Sequence, residues 1–99
     1  MIILELLIKI YPDKRTEFIQ AFEMIGPGDS AKKGCLERKL FEQVDNVDNF
    51  LWREQWENQS ALDLYSQGEK FGAMMGAINI LGTLIQKRSF TIKEEGEDV

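Results

Sequence analysis

The stretch CLERKLFEQVDNVDNFLWREQWE, residues 35–57, decides how the rest of the chain is read. Cys35 to Val44 and Asn49 to Glu57 carry strand patterning, and between them lies the turn-forming run Asp45, Asn46, Val47, Asp48. The segment is therefore a β-hairpin. On its second strand Phe50, Trp52, Glu54 and Trp56 share one face, because side chains alternate with period two. A carboxylate thus stands among three aromatic rings.

Upstream, Gly26 to Gly34 holds three glycines, Pro27, Asp29 and Ser30, and reads as a loop. Before it, Phe18, Ile19, Phe22 and Ile25 recur at helical spacing, and Pro12 suits a first helical turn, so a helix is expected over about Asp13 to Ile25. Residues Ile2 to Tyr11 alternate, with Ile2, Leu4, Leu6, Ile8 and Ile10 on a wholly apolar face and Ile3, Glu5, Leu7, Lys9 and Tyr11 on a mixed one. That is a strand covered on both sides.

Downstream, Asn58 is a good N-cap for a short helix bearing Ala61, Leu62 and Tyr65, which Gly68 closes. Phe71, Met74, Ile78 and Leu81 mark a further helical segment, weakened by Gly72 and Gly76. Gly82 precedes a last strand, Thr83 to Lys93, in which Leu84, Gln86, Arg88, Phe90 and Ile92 are expected to face one way. The acidic tail, residues 94–99, lacks periodicity and reads as a solubilising extension.

The order is β-α-β-β-α-β, with the second helical region in two pieces. This is the ferredoxin-like α+β arrangement, a four-stranded antiparallel sheet with helices on one face, made by a single domain over residues 1–93. Helices on one face leave the other bare. Leu7, Phe41 and Leu51 fall on that other face, and an uncovered apolar sheet face normally marks an interface, so a homodimer packed sheet against sheet is expected.

Composition narrows the function classes. The chain of 99 residues is 43% hydrophobic and 29% charged, typical of soluble globular domains, with net charge −5. The negative balance argues against nucleic acid, whose phosphates need a basic patch; the one basic cluster, Lys32, Lys33, Arg38 and Lys39, is diluted by Glu37 and Glu42. Apolar runs fall short of the roughly 20 residues that span a bilayer, and Met1 leads into a strand pattern with no basic region or cleavage site, so no membrane partner and a cytoplasmic location are expected. A single cysteine, Cys35, and no histidine rule out the usual zinc constellations, and neither metal nor cofactor is expected. Cys35 itself reads as a small packed residue or a reactive thiol.

The run Gly34-Cys35-Leu36, the hairpin, the segment Phe50 to Asn58, then Ser60-Ala61-Leu62 and Phe71, resemble the antibiotic-biosynthesis monooxygenase domain family over roughly residues 2 to 93. The resemblance implies a dimeric α+β barrel with a ligand cleft between sheet and helices. Some members of the family oxygenate phenols or quinols without metal or cofactor, and others degrade haem. Trp56 matches the tryptophan of the third strand. Where members acting on aromatic polyketides carry an asparagine, this chain has Trp52. Haem-degrading members use a histidine near the position of Met75, and Tyr65 stands roughly where they carry a second tryptophan.

Oxygenation without a cofactor needs a substrate that reduces dioxygen once deprotonated, and so an apolar pocket, a base and donors for a developing oxyanion. Glu54 and Tyr65 are the candidate catalytic residues, and Trp52, Trp56, Phe71, Met75 and Arg88 the candidate substrate-binding ones. Each has a structural alternative. Glu54, desolvated by its aromatic neighbours, is either a base or the partner of Arg38 across the hairpin. Trp52 and Trp56 stack on an aromatic ligand or fill the core, and Tyr65 donates to a ligand or lies exposed. Met74 and Met75 make an adaptable ligand wall or plain core. Arg88 binds an anionic group or pairs with Glu5 or Glu54. The function expected is oxygenation of a small aromatic or quinol; the alternatives are a homodimeric module that binds a small apolar molecule, or a barrel that only mediates association.

Overall fold

A computed structural model describes residues 1–25 and 33–93. The elements are β1 (Ile2–Ile10), a 3-10 turn (Pro12–Lys14), α1 (Arg15–Ile25), β2 (Cys35–Gln43), β3 (Asn46–Trp56), α2 (Gln59–Ser66), α3 (Glu69–Leu81) and β4 (Gly82–Thr91). The strands form one antiparallel sheet in the order β2-β3-β1-β4, so the expected ferredoxin-like α+β fold is present. Most of the loop expected at residues 26–34 and the acidic tail at 94–99 lie outside the described residues.

The alternation in β1 sets the two faces. Ile2, Leu4, Leu6, Ile8 and Ile10 are buried beneath Phe18 of α1, Leu62 of α2, and Phe71, Met74 and Ile78 of α3. Each such aliphatic side chain contributes roughly 1.5–3 kcal/mol when fully buried. Opposite these residues on β3 stand Trp56, Glu54, Trp52 and Phe50, facing Ile2, Leu4, Leu6 and Ile8 in turn. The helix side of the sheet is therefore where Glu54 sits. The reverse side carries Leu7, Leu51 and Phe41 in register with one another.

Two glycines are demanded by close approach. Gly34 has φ +105°, and a Cβ there would lie 2.8 Å from Ala61 Cβ; its carbonyl accepts from the Glu57 N–H at 2.9 Å, tying the start of β2 to the entry of α2. Gly82 passes so near the Lys9 carbonyl and Ile10 Cα that a side chain would collide with backbone. α2 begins where its sequence says: the Asn58 side chain accepts from the Ala61 N–H at 2.9 Å.

Three expectations change. The hairpin turns at Val44 and Asp45 rather than over 45–48, and β3 starts at Asn46, because Gln43 and Asn46 pair directly while Gln43 bonds Asp45 at 2.7 Å and Asn49 at 3.1 Å. The helix expected from Asp13 opens as the 3-10 turn at Pro12 and becomes α-helical only at Arg15. The third change reorients β4. Ile8 faces Leu84 but Leu7 faces Gln86, so Ile85 is an extra residue, and the single face expected for Leu84, Gln86, Arg88, Phe90 and Ile92 is broken after Leu84. Gln86, Arg88 and Phe90 thereby join Leu7, Glu5 and Ile3 on the face away from the helices. Among the described residues no helix is long and apolar enough to cross a membrane.

Candidate functional site

Period-two alternation on β3 aims Trp52, Glu54 and Trp56 at the same side, with the carboxylate between the two indoles. Glu54 is wholly buried, yet its oxygens are well supplied. Trp52 Nε1 donates to Oε2 at 2.9 Å, Trp56 Nε1 donates to Oε1 at 3.0 Å, and Arg38 Nε donates to Oε2 at 2.8 Å. Arg38 faces Glu54 directly across the hairpin, so the cross-strand pair read from the sequence is formed. The carboxylate is desolvated but not bare, and three N–H groups converge on it.

Tyr65 closes the cluster from α2. Its ring lies against Trp56 with centroids 4.6 Å apart and meets the edge of Phe71 at 5.4 Å. Its hydroxyl is 3.5 Å from Glu54 Oε2, 3.5 Å from Arg38 Nη2 and 3.8 Å from Met74 Sδ. These are long contacts, so the hydroxyl is poised rather than clamped. Burial, and next the charge of Glu54, hold the Tyr65 phenol well above its ordinary value, against the opposing pull of Arg38.

Two cavities open beside this cluster. One, of about 630 Å³, is lined by Trp56, Ala61, Leu64 and Tyr65, with Lys33, Gly68, Glu69 and Lys70 around them. The other, of about 450 Å³, lies between α1 and α3. Both are of the size that takes a small organic molecule, roughly 300–1,000 Å³.

The expected site residues are thus partly brought together. Trp56, Tyr65, Glu54 and Phe71 form one contiguous group. Trp52 reaches that group only through its N–H; its ring packs edge-on against Phe22 at 4.9 Å in the core under α1. Met75 packs against the core, and it is Met74 that touches the Tyr65 hydroxyl and lines a cavity. Arg88 stands on the opposite face of the sheet, outside the cleft, where its guanidinium bonds Glu5 at 2.7 and 2.8 Å beside Arg53. The Ile85 bulge puts it there. Arg38 was not among the candidates, although its placement opposite Glu54 was open to reading from the hairpin. Cys35 is buried opposite Trp56, and burial, which disfavours the thiolate, holds its thiol above the ordinary value against the opposing pull of Arg38. Among the described residues no group of three or more Cys, Asp or Glu is gathered in a metal-binding arrangement.

A family model described as antibiotic biosynthesis monooxygenase matches residues 1–77. The chain belongs to the antibiotic biosynthesis monooxygenase family. Among curated proteins it is 30% identical over 71 residues to YcnE of Bacillus subtilis, covering 72% of this chain and 75% of that protein. It is also 33% identical over 64 residues to sll1783 of Synechocystis, covering 65% of this chain but only 44% of that longer protein. Among solved structures, a family member from Deinococcus radiodurans superposes with a TM-score of 0.83 at 19% identity, covering 95% of this chain and 94% of its own. SnoaB of Streptomyces nogalater, a cofactor-independent oxygenase, superposes with a TM-score of 0.77 at 14% identity, covering 97% of this chain and 96% of its own. At these identities the structural likenesses establish the family fold, and the chemistry rests on the site.

Proposed function

We propose that this family member is a homodimeric, cofactor-independent monooxygenase acting on a small aromatic or quinol bound against Trp56 and Tyr65. The observation that carries the reading is the Trp56–Tyr65 pair, an indole and a phenol side by side in the wall of a cavity of about 630 Å³, backed by the Glu54–Arg38 ion pair. The monooxygenase name of YcnE and the activity in the name of SnoaB point the same way.

In such a reaction an ionised substrate carbon takes one oxygen atom of dioxygen, the other leaves as water, and the substrate supplies all four electrons. The protein contributes binding, orientation and donors. The half-buried Tyr65 ring meets the substrate, and the wholly buried Trp56 backs it at 4.6 Å. Tyr65, with its hydroxyl bonded only at long range, donates to the oxygen that gains charge. Glu54 acts through others: engaged by Arg38, Trp52 and Trp56, it holds the Trp56 indole in place and, as a long-range acceptor, orients the Tyr65 hydroxyl. Phe71 supports the Tyr65 ring. The substrate enters as its own anion, since Glu54 is engaged by three N–H donors and Glu69, the other carboxylate on the cavity wall, is exposed to water at its rim.

The reverse face of the sheet supports the homodimer. Leu7, Leu51, Phe41 and Phe90 surround the Glu5–Arg88–Arg53 cluster there, and Phe41 and Phe90 are exposed in the single chain. The second reading is a binding protein for a small apolar molecule without catalysis, favoured by the same full engagement of Glu54, the wholly buried carboxylate of the cluster, by Arg38, Trp52 and Trp56. Oxygen uptake with a panel of quinols, hydroxyanthrones and phenols separates the two. Uptake above the autoxidation blank that survives chelation and falls in Trp56→Ala supports the oxygenase. Uptake equal to the blank, together with calorimetric binding of the same compounds, supports the binding protein.

A further inference from the structure

The cleft has a second half that the reaction above does not use. The cavity of about 450 Å³ is walled by Ala21, Met24 and Ile25 of α1 and by Ala73, Met74 and Ala77 of α3. Tyr65 and Lys70 belong to this wall and also to that of the larger cavity beside Trp56, so the two spaces meet at those side chains.

We propose that the two cavities are halves of one binding site for an elongated ligand: an aromatic ring with a hydrogen-bond acceptor at one end and an apolar extension several carbons long at the other. The proposal rests on the same cleft as the oxygenase reading, but it concerns the shape of the ligand rather than the reaction.

Three observations carry it. The chemistry of the halves differs in a way that orients a ligand. Tyr65 and Lys70 are common to both; beyond them the larger one has Trp56 and a charged rim of Lys33 and Glu69, whereas the smaller one adds only the apolar side chains of Ala21, Met24, Ile25, Ala73, Met74 and Ala77. The exposed end of α1 is unexpectedly apolar: Met24 is 86% and Ile25 39% exposed, and both line the smaller half, where an alkyl chain would cover them. Finally, the boundary between the halves is soft. The Tyr65 hydroxyl lies 3.5 Å from Glu54 and Arg38 and 3.8 Å from Met74, and the thioether of Met74 adapts to its surroundings. The ring of an incoming ligand replaces the ring contacts that Tyr65 gives up on shifting aside.

The test is calorimetric titration, in the absence of dioxygen, of the wild-type chain and of Ala77→Phe with 4-methylphenol and with 4-octylphenol. Ala77→Phe fills the smaller half. It should weaken 4-octylphenol by at least about tenfold, as expected when roughly two methylenes lose their burial, and leave 4-methylphenol within about twofold. Ala73→Phe, at an exposed position on the same wall, should reproduce that selectivity, and thermal unfolding of both variants checks that they fold. Equal losses for both phenols, or no loss for either, overturns the proposal. Selective loss together with an absence of oxygen uptake keeps the two-part site and removes the oxygenase. Oxygen uptake on short quinols with no selectivity in Ala77→Phe does the reverse. Failure of the wild type to bind either phenol overturns both.

Discussion

Arg38 Nε donates to Glu54 Oε2 across 2.8 Å with both side chains shut off from water, so the link between β2 and β3 includes an ion pair inside the core. A buried pair of this kind is costly to break from one side, because the surviving charge keeps its desolvation penalty without its partner. Glu54→Gln and Arg38→Met should each lower the free energy of unfolding by roughly 3–5 kcal/mol. Urea denaturation measures this, and losses under about 1 kcal/mol would show the pair to be structurally idle.

Tyr65→Phe separates the hydroxyl from the ring. The ring contacts with Trp56 and Phe71 persist, and the hydrogen bonds lost are long ones, so stability should change by no more than about 1 kcal/mol. Turnover should fall by roughly 10²-fold if the hydroxyl donates to the developing oxyanion. Unchanged oxygen uptake would take that role from Tyr65.

The same phenol gives the protein a distinctive alkaline behaviour. Its pKa is raised in the fold above the ordinary value of 10.0, chiefly by burial, so the folded chain holds this proton where the unfolded chain releases it. The stability it contributes is complete below pH 10 and is lost as pH climbs from there through the folded value. The slope should be about 1.4 kcal/mol per pH unit for one proton. Tyr65→Phe should remove that slope, leaving the decline from other groups, and coincident profiles for the two proteins would sink the prediction.

Phe41 offers a test of association that leaves the cleft alone. It is 45% exposed on the face away from the helices, in register with Leu51 and Leu7. Phe41→Lys should shift sedimentation from a dimeric to a monomeric mass, with the far-ultraviolet circular dichroism unchanged. A wild-type chain that sediments as a monomer at micromolar concentration would remove the homodimer altogether.

Two glycines should respond oppositely to alanine. At Gly76 nothing lies within 4 Å of an added Cβ, so Gly76→Ala should stabilise α3 by about 0.5–1 kcal/mol. At Gly82 the Lys9 carbonyl occupies the place a Cβ would need, so Gly82→Ala should destabilise by roughly 1–3 kcal/mol or more. Thermal unfolding of the two variants gives both signs in one experiment.

These particulars show how far the sequence could be read. Among the described residues periodicity located each strand and helix, because the apolar faces of β1 and α3 recur at 2.0 and 3.6 residues and the Asn58 cap marks α2 without ambiguity. The grouping of Trp56, Glu54, Tyr65 and Phe71 was legible too, since alternation on β3 and a two-turn helix of eight residues could bring them together in few ways. The side taken by Arg88 was not. Leu84, Ile85 and Gln86 fit either register, and only pairing with β1 shows that Ile85 is surplus. Met74 and Met75 are adjacent, and the phase of α3 against the sheet chooses between them. The second cavity depends on how far apart α1 and α3 settle, a distance that residue patterns do not encode.

Both tryptophans of the chain, Trp52 and Trp56, give their indole protons to the one carboxylate of Glu54. All of the intrinsic indole fluorescence therefore originates within a single hydrogen-bonded cluster at the edge of the cleft. The molecule carries its own optical probe, needing no attached dye: a ligand that displaces Tyr65 disturbs the hydrogen-bonded cluster from which both indoles emit.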